Sequence, residues 1–187
     1  MHESDELIYQ RYLKEKDERD LCTLLERHRE GLMLFLFGYV HNEEDAEELM
    51  MDSFAVVASG TARFSGKSSF KTWLFGIGRN QAKMLLRKRK GLFVSLDDVG
   101  EIEDLPDTDN LDMLHEEDKR VLYEAMESIP YEYRQVLFLL YFEEMSRDEI
   151  CEVMKKNKKQ VYNLAERGKN ALREELQRRG YQYEKYK

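Results

Sequence analysis

Only two prolines, Pro106 and Pro130, occur in 187 residues, so residues 1–105 and 131–187 run without one. Proline is the strongest breaker of a helix interior, costing about 3 kcal/mol, and its absence leaves both stretches free to form long helices. Apolar residues recur there at intervals of three and four: Leu21, Leu24, Leu25; Leu32, Phe35, Leu36, Tyr39; Val136, Leu139, Leu140. The chain is expected to be all-α. Cap chemistry divides it: Asn42 with Asp45, Ser68 or Ser69, the capping box Ser146-Arg147-Asp148-Glu149, and Asn157 each open a helix, while Pro130 suits a first turn. The spacing predicts helices over 4–16, 19–40, 43–59, 69–90, 116–128, 131–142, 147–155 and 158–178.

Charge separates these helices into two groups. The formal net charge is -8, which taken whole argues against a polyanionic partner. Residues 92–118, however, hold eleven acids and no lysine or arginine, the mark of a solvated linker. Residues 1–91 carry 15 basic and 15 acidic side chains, and residues 119–187 carry 15 and 12. Two small helical domains, 1–91 and 119–187, joined by an acidic linker, are therefore expected, and neither is acidic. Cys22 and Cys151 stand in no ligand or disulfide spacing and read as small core residues of a reducing, cytoplasmic protein. The longest nearly apolar run, 32–40, is less than half the ~20 residues a membrane span needs, so no membrane insertion is expected.

Two segments carry candidate chemistry. On the helix from residue 69, Arg79, Lys83, Arg87 and Lys90 fall within an arc of roughly 80°, opposite Phe70, Trp73, Leu74, Ile77, Met84 and Leu85. Such a stripe suits a phosphate backbone, and equally suits a solvated face whose charge complements the helix dipole. Before it lies a small polar segment, Ser59 to Ser69, with one aromatic, Phe64, of the kind that can wrap an unstacked base. Near the C-terminus, a short helix, a turn and a second helix form a helix-turn-helix pattern. The second helix turns Val161, Leu164, Ala165, Gly168, Ala171 and Leu172 inward. Lys158, Lys159, Tyr162, Asn163 and Glu166 project outward, where Asn163 and Glu166 suit base edges and Lys158, Lys159 and Arg167 suit phosphates. The four histidines are scattered and no nucleophile and base converge, so neither a metal or other cofactor nor an enzymatic role is expected.

In combination these segments resemble the extracytoplasmic function (ECF) sigma factors, small two-domain specificity subunits of bacterial RNA polymerase. Asn42-Glu-Glu-Asp-Ala-Glu-Glu-Leu-Met-Met-Asp-Ser-Phe54 is similar to the family's DAEDLVQEVF helix, and Phe64-Ser-Gly-Lys-Ser-Ser-Phe-Lys-Thr-Trp-Leu-Phe-Gly-Ile-Gly-Arg-Asn80 to its FRGxSSFxTWLxxIxxN block. Ile129-Pro-Tyr-Glu-Tyr-Arg134, Met145-Ser-Arg-Asp-Glu-Ile150 and Arg167-Gly-Lys-Asn-Ala-Leu-Arg173 resemble its LPxxxR, LSxxEIA and RARxxLR series.

The resemblance implies roles that the residues alone only permit. The acidic helix would meet core polymerase, a partner of β and β′ subunits, through Asp45, Glu48, Leu49, Met51, Asp52 and Phe54. Promoter DNA would be engaged at its -10 element by Arg63, Phe64, Lys67, Ser68, Arg79, Asn80, Lys83 and Arg87, with a flipped base held near Phe64 and Asn80 at the pocket edge. The -35 element would be read by Lys158, Lys159, Tyr162, Asn163, Glu166 and Arg167. An anti-sigma factor would be a further partner. Met51-Asp52 replaces the family's Gln-Glu, Tyr162 lies in a stretch that differs from the family's, and Lys156 stands at a turn position that is usually apolar. The alternative reading is a conventional helix-turn-helix regulator that binds its operator without polymerase.

Overall fold

A computed structural model of the chain describes residues 3–89 and 116–181, and among these residues every regular element is a helix. The helices are α1 (Asp5–Glu15), α2 (Glu18–Val40), α3 (Glu43–Ser59), α4 (Phe70–Arg89), α5 (Glu116–Ser128), α6 (Tyr131–Tyr141), α7 (Arg147–Met154) and α8 (Lys158–Arg178). Each expected helix is present with its ends within two residues, because local caps set the ends. Asn42 Oδ1 accepts from Asp45 N–H at 2.8 Å, Ser69 Oγ from Thr72 N–H at 3.2 Å, and Asn157 Oδ1 from Gln160 N–H at 2.9 Å. Complete capping boxes open both α7 and α8. Most of the expected acidic linker lies outside the described residues.

Three helices end in a left-handed cap that is not glycine. Lys16, His41 and Lys155 adopt left-handed backbone (φ 56°, 49° and 54°) as the C-caps of α1, α2 and α7, and each donates its N–H to the carbonyl four residues back. The left-handed turn at Lys155, followed by Lys156 and the N-cap Asn157, brings α8 back across α7 as a helix-turn-helix. Lys156, the polar turn residue, is half-buried because its Nζ reaches Glu132 Oε1 of α6 at 2.7 Å.

In the N-terminal half, α1 to α4 pack around Leu24, Leu32, Leu36, Leu74 and Phe75, all buried. Gly78 lets α4 approach closely: a Cβ there would lie 2.9 Å from Leu32 Cδ1. In the C-terminal half, α5 to α8 enclose Val136, Leu139, Ile150, Val153 and Val161. The two cores are continuous. Phe35 packs on both Phe75 and Phe138, with ring centroids 5.2 and 6.4 Å away, and Tyr39 meets Tyr131 edge-on at 5.0 Å. Cys22 corrects an expectation: it faces solvent on α2, and Cys151 is only half-buried.

Candidate nucleic-acid interface

Residues 60–69 are suspended between the C-terminus of α3 and the N-terminus of α4, and α1 holds both ends. Tyr9 Oη donates to the Val57 carbonyl at 3.1 Å and Tyr12 Oη to the Ala58 carbonyl at 3.0 Å, satisfying the open end of α3. At the other end, Glu6 Oε1 accepts the Phe70 N–H at 2.8 Å, an N-terminal contact supplied by a different helix. His28 Nε2 lies 2.7 Å from Asp5 Oδ2, tying α1 to α2.

Phe64 is half-buried in this frame. Its ring centroid lies 5.8 Å from Tyr9, 5.1 Å from Trp73 and 6.2 Å from Phe70. The aromatic side chain therefore anchors the segment to the α1–α4 surface while remaining partly accessible. Arg63 and Lys67 are exposed beside it and Ser68 is half-buried, so this end of the domain offers cations and a hydroxyl around an aromatic floor.

Along α4 the outcome is mixed. Asn80 and Arg87 are exposed and Lys83 is half-buried, whereas Arg79 is only 9% exposed. The expected solvent-facing stripe is corrected at Arg79, which is buried beside Tyr39 of α2 and Tyr131 of α6. Burial pushes the Tyr39 and Tyr131 phenols up in pKa, and the Arg79 charge beside them opposes that rise. Burial also lowers Lys83, helped by Arg79, Lys156 and Arg87, so α4 and the α7–α8 turn form one cationic cluster. Met84 corrects the apolar arc, being 63% exposed.

On α3 the six expected polymerase-facing residues divide by helical face. Glu48, Met51 and Asp52 are exposed, while Leu49 and Phe54 are each 4% exposed and belong to the core with Ala46, Met50 and Val57. Leu49 and Phe54 are therefore corrected from partner contacts to supports. Asp45 is half-buried and receives the Arg89 guanidinium, with Nη2 at 2.6 Å from Oδ1, which ties the start of α3 to the end of α4.

The outward face of α8 is accessible. Lys158, Lys159, Tyr162, Asn163 and Arg167 are exposed and Glu166 half-buried. Lys158 Nζ pairs with Asp148 at 2.7 Å, Lys169 Nζ with Glu166 at 2.5 Å, and the Arg147 guanidinium lies over the Tyr162 ring at 5.6 Å. Asn163, free of such a pairing in geometry, points a two-way donor and acceptor outward.

Sequence reasoning missed a set of contacts between the two halves. Glu149 Oε2 completes the α7 capping box, accepting from Ser146 N–H at 2.9 Å, while its Oε1 accepts from Ser69 Oγ at 2.8 Å and Thr72 Oγ1 at 2.9 Å on α4. Burial pushes this carboxyl up, but the Ser146, Ser69 and Thr72 contacts outweigh it and hold Glu149 below its usual range. Lys71 Nζ meets Glu143 Oε2 at 2.5 Å and its carbonyl at 2.9 Å. Gln135 Nε2 points toward the Phe35 carbonyl at 3.4 Å. The capping-box pattern shows that Glu149 is needed by α7, and nothing local marks its second oxygen for another domain.

Comparison with known proteins agrees with this arrangement. The family described as Sigma-70 region 2 matches residues 24–91, and Sigma-70, region 4 matches residues 119–172. The chain is 26% identical over 162 residues to RNA polymerase sigma factor SigV of Bacillus subtilis (strain 168), covering 83% of this chain and 90% of that protein. It is 28% identical over 168 residues to ECF RNA polymerase sigma factor SigX of the same organism, covering 86% and 85%. Among solved structures, CnrH in complex with the cytosolic domain of CnrY superposes with a TM-score of 0.66 at 20% identity, covering 94% of this chain and 98% of that one. The sigma factor RpoE in complex with the anti-sigma factor NepR from Bartonella quintana gives a TM-score of 0.63 at 20% identity, covering 85% and 98%. Among the described residues, no helix is long and apolar enough to cross a membrane. The two matched regions, their order and the fold assign the chain to the ECF sigma factors, the specificity subunits that direct RNA polymerase to promoters.

Proposed function

We propose that this sigma subunit divides its work among three surfaces, within domains spanning 1–91 and 119–187 and joined by the linker 92–118. The exposed acids and Met51 of α3 dock on core polymerase. The α8 face reads the -35 element, with Asn163 placed for bidentate contact to an adenine edge and Lys158, Lys159 and Arg167 on phosphates. The segment 60–69 receives a flipped -10 base. The observation that carries this last role is the frame itself: Phe64 forms an aromatic floor beside Arg63 and Lys67, clamped at both ends by α1. Capturing an extruded base there offsets an unstacking cost of a few kcal/mol without covalent chemistry. Phosphoryl transfer belongs to the polymerase, and this subunit acts without an enzymatic site of its own. CnrH and RpoE, each solved with a binding partner, support an anti-sigma factor as a partner here, and a cytoplasmic location follows from that of the polymerase.

The test is run-off transcription with purified core polymerase on a promoter library. Promoter-dependent transcripts support the proposal. A subunit that binds a defined promoter equally tightly without polymerase, and adds nothing to polymerase, would overturn it. Phe64→Ala or Asn80→Ala is expected to lower the rate of open-complex formation more than initial duplex binding, and equal losses at both stages would remove the base-trap role.

A further inference from the structure

We infer that Arg147 and Tyr162 act together as a thymine reader in the -35 element: the Tyr162 ring packs on the 5-methyl group of one thymine, and Arg147 fixes the ring in the orientation that does so. The inference rests on the -35 role proposed for α8 and names the base that this part of the helix selects.

Tyr162 is the fifth residue of α8, within the N-terminal turns that a recognition helix presents to base edges. Its neighbour Val161 is buried and Tyr162 itself is 51% exposed, so the ring stands on the side of α8 away from the core. The positions four residues before and after it on the same stripe are Lys158 and Glu166. Each is taken by an ion pair, Lys158 Nζ with Asp148 Oδ1 at 2.7 Å and Glu166 Oε1 with Lys169 Nζ at 2.5 Å. Between these two charge pairs the stripe offers one apolar surface, the Tyr162 ring.

The chemistry of the groove selects what that surface meets. In the major groove every base edge presents hydrogen-bonding groups, and thymine alone adds an apolar one, its methyl. Lys158, Lys159 and Arg167 are exposed on the same helix and draw it toward the phosphates that line the groove.

Arg147 is the first residue of α7 and is exposed, with its guanidinium 5.6 Å from the Tyr162 ring centroid. A cation over an exposed aromatic ring favours that arrangement by about two- to fivefold, which lessens the rotamer freedom the ring loses when it packs on a base. Asp148, the next residue, holds Lys158. Two consecutive residues of α7 thus hold two successive positions of the α8 stripe. Arg147 is accordingly a positioning residue, and Tyr162 makes the contact.

The experiment uses the full chain with core polymerase on a promoter selected from the library. Each thymine of the -35 element, on either strand, is replaced in turn by uracil, which keeps the base pair and the O4 acceptor and removes only the methyl. Competition binding gives the thymine-to-uracil affinity ratio at each position. The wild-type chain is expected to prefer thymine by about fourfold at one position, the effect of burying one methyl group. Tyr162→Phe should keep that ratio and Tyr162→Ala should abolish it. Arg147→Lys retains a cation over the ring and should keep the ratio. Arg147→Gln should lower it to about twofold, on top of a uniform loss of affinity from the missing charge. Both side chains are exposed, and circular dichroism checks that the variants keep their helicity.

The absence of any position that distinguishes the two bases, or a ratio that survives in Tyr162→Ala, overturns the inference. A ratio lost in Tyr162→Phe as well assigns the contact to the hydroxyl and overturns the methyl assignment. A ratio unchanged in Arg147→Gln overturns the positioning role. Scrambling the whole element separates this inference from the reading beneath it. If scrambling costs nothing, the -35 role of α8 fails; if it abolishes binding while no uracil is felt, that role stands and the thymine reading alone is lost.

Discussion

Glu6 provides a sensitive test of how the segment between α3 and α4 is held together. Its carboxylate accepts the first amide of α4 from across the domain, while Ser69 supplies the adjacent cap. A hydrogen bond to a charged group is worth about 1.5–3 kcal/mol, and a carboxylate at a helix N-terminus adds about 0.3–1 kcal/mol from the dipole. Glu6 is half-buried, so solvent screens part of both contributions, and Glu6→Ala should cost about 1–2 kcal/mol. For a chain of this size that lowers Tm by roughly 3–6 °C. Glu6→Gln keeps a carbonyl acceptor and loses the charge, so it should recover about half of the loss. Urea unfolding followed by circular dichroism measures both, and proteolysis of the native state at residues 60–69 should quicken in the alanine variant. A glutamine variant as unstable as the alanine one, or an alanine variant indistinguishable from wild type, would refute the claim that α1 caps α4.

Three further outcomes are expected. His41, buried beside Arg134, has its pKa lowered to about 4 first by burial and then by that charge. The unfolded histidine binds a proton near pH 6.5 while the folded one does not, so stability present above pH 6.5 is lost as pH falls toward 4. His41→Asn, which tolerates the same left-handed backbone, should flatten that part of the Tm-versus-pH curve, and an unchanged slope would contradict this. On α3, Leu49→Ala should destabilise the fold by about 2–5 kcal/mol, whereas Asp52→Ala should leave Tm unaltered and weaken binding to core polymerase in a pull-down titration. Asn163→Ala should cost about 1–3 kcal/mol at one -35 position and relax its sequence preference, which binding to a panel of single-base promoter variants in the presence of polymerase reads directly.

Helix ends were legible because each is decided within four residues by caps such as Asn42, Ser146 and Asn157. Helix faces were legible where apolar periodicity was read through, as on α8, and misread where a motif was taken whole. Leu49 and Phe54 sit on the same stripe as Ala46, Met50 and Val57, and the three-and-four spacing alone predicts their burial. Arg79 departs from the expected face for a different reason. It is buried beside Tyr39 of α2 and Tyr131 of α6, residues far from it in the chain, and no local pattern encodes those contacts. The same holds for the second oxygen of Glu149. Residue type alone predicts a core position for Cys22, yet it lies on the solvent side of α2.

The paired capping boxes at Ser146/Glu149 and Asn157/Gln160 have a calorimetric consequence. Both helices of the helix-turn-helix begin with their N-cap and N3 amides already bonded, and Lys156 pins the turn between them to α6. Ordering of that module is completed during folding of the subunit, so duplex binding need not draw on contact energy to form the reading helix. Its association should therefore be that of a rigid body, with a heat-capacity change scaled to the apolar area buried at the groove and none of the excess that accompanies coupled folding.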